Sequence, residues 1–112
     1  MEIQTRTEGD ICIATVQDTR IDAPAAVAFK EAMRQKTQDA PHIVVLDLSQ
    51  VGFIDSSGLG ALVATLKLLS PVRELRLAGL TPAVQKVLTL TRMDKVFAIF
   101  LTLEEALDAQ RV

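Results

Sequence analysis

The chain has 112 residues, a formal net charge of −2, 49% hydrophobic residues, one cysteine, one histidine, four phenylalanines and no tryptophan or tyrosine. That length supports one hydrophobic core, so a single domain over residues 1–112 is expected. The mildly acidic balance and missing stacking aromatics argue against a nucleic-acid partner, and Asp47, Lys67 and Pro71 break every apolar stretch long enough to enter a bilayer.

The N-terminus, Met1-Glu2-Ile3-Gln4-Thr5-Arg6, has no basic stretch followed by an apolar one. No signal peptide is read there, and a cytoplasmic location is expected, which a lone Cys12 fits. Ile3–Thr7 and Ile11–Gln17 flank Glu8-Gly9-Asp10 and read as a β-hairpin. Asp22 precedes Ala23-Pro24, a helix cap followed by an early proline. Ala25, Ala28, Phe29, Ala32 and Met33 follow at helical spacing. Ile43–Leu48 is an apolar run that reads as a buried strand.

Asp55-Ser56-Ser57-Gly58-Leu59-Gly60 comes next and opens another periodic stretch. Leu59, Leu62, Val63, Leu66 and Leu69 are expected to face the core. Gly60, Ala61, Ala64, Lys67 and Leu68 make up an unusually small, weakly polar outer face. Glu74–Leu80 reads as a strand, and Thr81-Pro82 as the cap and first residue of a helix to about Leu90. Val96–Leu101 reads as a strand. Thr102-x-x-Glu105 is a capping box before a final helix with Leu103, Ala106 and Leu107 inside. The order β-β-α-β-α-β-α-β-α predicts an α/β fold: a mostly parallel sheet of four to five strands, an antiparallel N-terminal hairpin and four helices.

The serine pair therefore sits where a strand passes into a helix, beyond the carboxyl end of the sheet. Unpaired N–H groups and the helix dipole favour an anion there. The residues alone leave two readings open: Ser56 and Ser57 are ordinary caps, or one of them accepts a phosphoryl group. Asp22 and Asp55 likewise read as two N-caps or as an acidic patch beside Ser57. Phosphorylation would add roughly −1.5 to −2 charges, which the helix start tolerates and a packed partner does not, so a switch at this point acts on binding rather than on folding.

Other chemistries fit poorly. A serine nucleophile needs a base, and the only histidine, His42, lies at the far end of the Ile43–Leu48 strand, roughly 20 Å away at about 3.3 Å per residue. Gly-x-Ser-x-Gly spacing is absent, as is a Gly-Lys-Ser or Gly-Lys-Thr phosphate loop. One histidine and one distant cysteine make no metal cluster. No catalysis, cofactor or metal is expected.

The chain resembles the STAS domain family, and within it the bacterial anti-sigma-factor antagonists. The resemblance rests on Arg20-Ile21-Asp22, Val45-Leu46-Asp47-Leu48-Ser49 and Val51-Gly52-Phe53-Ile54-Asp55-Ser56-Ser57-Gly58-Leu59-Gly60, and continues through Leu75–Gly79, Val87–Phe97 and Leu103–Leu107. It implies partner switching that controls transcription. The second serine of the turn, Ser57, would be the phosphorylation site, and Asp22, Asp55, Ser56 and Gly58 the surrounding switch loop. An anti-sigma factor, a serine kinase with a histidine-kinase-like ATPase fold, would bind the unmodified protein, across Gly60, Ala61, Ala64 and Leu68, and phosphorylate it. A metal-dependent serine phosphatase would reverse the step. Arg92 departs from the family, which often has glycine at that point, and is expected to alter a helix end more than the switch. Two alternatives remain: a STAS subunit docked permanently on a membrane lipid-transport ATPase, with Ser57 only a cap, and a nucleotide-binding sensor. A monomer is expected.

Overall fold

The computed structural model describes residues 1–109. Two strands, β1 (Ile3–Glu8) and β2 (Ile11–Val16), pair antiparallel around Gly9 and Asp10. Gly9 has φ +61°, the positive value that the first central residue of a tight hairpin turn requires. The chain then forms β3 (Arg20–Ile21), α1 (Ala23–Lys36), β4 (Ile43–Asp47), β5 (Phe53–Ile54), α2 (Ser56–Leu69), β6 (Glu74–Ala78), α3 (Pro82–Leu90), a short 3-10 turn at Met93–Lys95, β7 (Ala98–Phe100) and α4 (Leu103–Asp108).

The main sheet runs β1-β2-β4-β6-β7, and every pairing after the hairpin is parallel. Alternation along the strands divides the apolar side chains between two faces. Val44, Leu46, Leu75 and Leu77 join Phe29 and Met33 of α1, Leu62 and Leu69 of α2, and Val84 and Leu88 of α3 in the larger core. Ile11, Ile13, Ile43, Val45 and Ala78 point the other way, against Ala106 of α4.

Three features differ from the sequence reading. First, β3 and β5 pair with each other, parallel, as a separate two-stranded ribbon, Arg20 opposite Phe53 and Ile21 opposite Ile54. Two residues carry no periodic signal, so pattern reading passes over both. Second, the last strand is shorter than Val96–Leu101, because the 3-10 turn takes up the chain just before it. Third, Thr81 does not cap α3 with its side chain. Its hydroxyl instead donates to the Val51 carbonyl at 2.7 Å, tying the start of α3 to the segment before β5. Thr102 behaves as read, its hydroxyl accepting the Glu105 N–H at 3.1 Å.

Arg92 follows the C-cap of α3 in the left-handed region, φ 62° and ψ 18°. An L side chain there costs about 1–2 kcal/mol, which glycine avoids at some entropic cost in the unfolded chain. Arg92→Gly is therefore expected to raise stability by up to about 1 kcal/mol, a gain of about 4 °C in melting midpoint. Thermal unfolding followed by circular dichroism checks it, and an unchanged or lower midpoint counts against the helix-end reading.

Candidate functional site

The serine turn is built from two converging helix starts. β3 leads through Asp22 into α1, and β5 leads through Asp55 into α2. Because β3 and β5 are paired side by side, both helices begin on the same edge of the molecule. Asp22 caps α1, its Oδ1 accepting the Ala25 N–H at 3.3 Å. Asp55 caps α2, its Oδ1 accepting the Gly58 N–H at 2.9 Å. Its other oxygen, Oδ2, accepts the N–H of Ala23 at 3.0 Å, from the first residue of α1. Both acids act as N-caps, and the bond from the Ala23 N–H brings the start of α1 against Asp55.

Charge-assisted bonds of this kind hold a carboxylate in its ionised form. The Asp55 carboxyl lies below the usual carboxylate range, chiefly through the Gly58 N–H; partial desolvation opposes this, and the N–H groups of Ala23, Ser57 and Asp55 itself add to it. The sign follows from the lowered value. The capping contribution is complete above the ordinary carboxylate range and fades as the pH falls through the lowered one.

Ser56 and Ser57 occupy the first turn of α2 and are both exposed. Gly58 is buried, and the reason is close approach rather than turn geometry. A Cβ at this position would lie 1.9 Å from the Ile21 carbonyl oxygen and 2.8 Å from Ile54 Cγ1. The first turn of α2 thus rests directly on the backbone of β3.

The inner face of α2 is wider than the sequence reading: Leu59, Leu62, Val63, Leu66 and Leu69 all lie in or against the core, and Gly58, Ala61 and Thr65 are buried beside them. The buried residues are Gly58, Ala61, Leu62, Thr65 and Leu69, while Leu59, Val63 and Leu66 are only half-buried. Ala61, expected on the partner-facing surface, is 2% exposed and lies inside the core. Its small side chain marks an internal contact rather than a partner surface. Gly60 is open, with no atom within 4 Å of its would-be Cβ. Ala64 and Leu68 line a groove of about 380 Å³ between α1 and α2, opposite Val27, Lys30 and Arg34, and Leu68 is 48% exposed.

Two side chains beside the turn had no legible signal of their own. Arg20 stacks its guanidinium 4.1 Å from the centroid of the Phe53 ring and donates to Asp22 Oδ2 at 3.1 Å. They meet only because β3 and β5 pair. His42 stands immediately before β4, at the opposite end of that strand from the serine turn. Among the described residues no group of three or more His, Cys, Asp or Glu is arranged to hold a metal ion, and no helix is long and apolar enough to cross a membrane.

The STAS domain family matches residues 2–106. The anti-sigma-F factor antagonist RsfB of Mycobacterium tuberculosis is 33% identical over 91 residues, which span 81% of this chain and 75% of that protein. The crystal structure of an anti-sigma factor antagonist from Mycobacterium paratuberculosis superposes with a TM-score of 0.84 at 30% identity, covering 95% of this chain and 90% of that one. A STAS domain protein from Planctomyces limnophilus shares the fold, with a TM-score of 0.82 at 24% identity over 94% of this chain and 93% of that one. The chain belongs to the STAS domain family, and anti-sigma-factor antagonists are among its relatives.

Proposed function

We propose that this protein is an anti-sigma-factor antagonist that switches partners through phosphorylation of Ser57. The unmodified form binds and sequesters an anti-sigma factor that is itself a serine kinase of the histidine-kinase-like ATPase fold. Modification of Ser57 releases that partner, and a metal-dependent serine phosphatase resets the switch. The protein works as a single STAS domain over residues 1–112, a monomer in the cytoplasm, with no catalysis of its own.

The observation that carries this reading is the exposed Ser57 hydroxyl on the first turn of α2, on a backbone pinned by Gly58 and Asp55. A phosphate added there meets the positive end of the helix, so the fold tolerates it. A partner packed over neutral serine beside two carboxylates does not. The identity to an anti-sigma-F factor antagonist supports the choice of partner class. Gly60, Ala64 and Leu68 remain the α2 residues open to that partner, while Ala61 acts from beneath by setting the helix position.

The test is calorimetric titration of the cognate anti-sigma kinase, identified by capture on the wild-type protein. Ser57→Asp is expected to weaken binding at least about tenfold, or 1.4 kcal/mol. Ser57→Ala is expected to bind like wild type and to take up no phosphate from ATP. Equal affinity of the two variants would sink the switch.

A further inference from the structure

We propose that Asp55 relays the covalent state of Ser57 to the start of α1. This rests on Ser57 being the phosphoacceptor, and it adds a second surface on which that state is displayed. Ala23 is the first residue of α1, and its N–H is one of those that no carbonyl of the helix can accept. The partner it has is Asp55 Oδ2, 32 residues along the chain. Asp22 cannot easily replace it, because its Oδ1 serves Ala25 and its Oδ2 serves Arg20. One carboxylate therefore joins the two helix starts.

Phosphorylation acts directly on that carboxylate. A bond forms between Ser57 Oγ and the γ-phosphorus of ATP, the bond from that phosphorus to the departing ADP oxygen breaks, and the hydroxyl proton passes to a base or water. The product places roughly −1.5 to −2 charges and three acceptor oxygens two residues from Asp55. They repel the carboxylate and compete for the N–H groups of the same helix turn. Of Asp55's two grips, the bond to Gly58 is local to its own turn, whereas the bond to Ala23 crosses to another helix. The long-range grip yields first. The first turn of α1 then loosens, together with the depression beside it that Arg20, Asp22 and Ala25 help to line. A partner resting on α1 thus senses Ser57 without touching it.

The experiment is amide hydrogen exchange by NMR on protein carrying phosphoserine at position 57, installed during translation so that no kinase is needed. Exchange at Ala23 is expected to accelerate about tenfold over the unmodified protein, the scale of one lost cap. Asp55→Asn, which keeps one acceptor oxygen for Gly58 and loses the second, is expected to show the same acceleration without phosphate. Phosphoserine added to Asp55→Asn is expected to change Ala23 by less than about twofold, since the link is already gone. Unchanged exchange at Ala23 on phosphorylation overturns the relay, as does equal acceleration with and without Asp55. Should Asp55→Asn fail to fold, the comparison of wild type with and without phosphate still decides. A kinase found to modify another serine would overturn the partner-switching reading and leave this result standing.

Discussion

Gly58→Ala is expected to lower stability by at least about 3 kcal/mol, at the upper end of what overpacking costs. The added methyl would lie 1.9 Å from the Ile21 carbonyl oxygen and 2.9 Å from the Ile21 carbonyl carbon, and backbone cannot swing aside as a side chain can. Relief requires α2 to lift off β3, which strains the Asp55 N–H to Ile21 carbonyl bond at 3.4 Å and disturbs both Asp55 grips. In a thermal melt the midpoint is expected to fall by about 12 °C or more, at about 4 °C per kcal/mol. Gly60→Ala, two residues on in the same helix, meets nothing within 4 Å and is expected to stabilise by about 0.5–1 kcal/mol. Equal midpoints for the two variants would remove the close contact from the account of the site.

Arg76→Ala is expected to cost about 2–4 kcal/mol, the range for breaking a buried charge pair and leaving its partners unsatisfied. Arg76 is 1% exposed in the middle of β6, on the face that α4 covers. Its Nε donates to Glu74 Oε2 at 2.6 Å, and its Nη1 donates to the carbonyls of Ala106 and Ala109 at 2.6 and 3.0 Å. The guanidinium also lies 5.5 Å from the centroid of the Phe100 ring. The last carbonyls of α4 have no takers within the helix, and a cation at that end is favourable. One side chain thus fastens the C-terminal helix to the sheet. Urea unfolding reads the loss, and amide exchange in Leu103–Asp108 is expected to quicken more than in β4. A variant with wild-type stability would show that α4 is held by its apolar contacts alone.

The layout of the main sheet was legible because its signals are long. Alternating or continuous apolar runs with proline and aspartate punctuation define β2, β4 and β6, the Gly9-Asp10 turn pairs β1 with β2, and the caps at Asp22, Asp55 and Thr102 follow from residue type. What stayed hidden depends on contacts between segments distant in sequence. β3 and β5 are too short to carry a period, so the Arg20–Phe53 stack could not be foreseen. The leucines and valines of α2 mark its inner face correctly, but the burial of Gly58 and Ala61 beside them carries no apolar period, and the seating of Gly58 on β3 is a contact between distant segments. Arg76 was hidden for the opposite reason: arginine is rarely buried unless paired, and although Glu74 is two residues away, the α4 carbonyls that complete its surroundings lie 30 and 33 residues downstream. At the candidate site, the residue types announced an anion-tolerant helix start. The sharing of one carboxylate between two helices could be read only once β3 and β5 were seen to pair.

The seating of Gly58 on the Ile21 carbonyl also indexes α2 about its own axis. Each residue of an α-helix advances by about 100°, so with Gly58 fixed the bearing of Ser57 is fixed as well, one step before it. Substitution of Ala64 or Leu68, on the groove side, changes that surface and leaves both the buried Thr65 and Leu69 and the hydroxyl where they were. The groove side of the helix can therefore diverge to suit new neighbours while the aim of the serine is preserved.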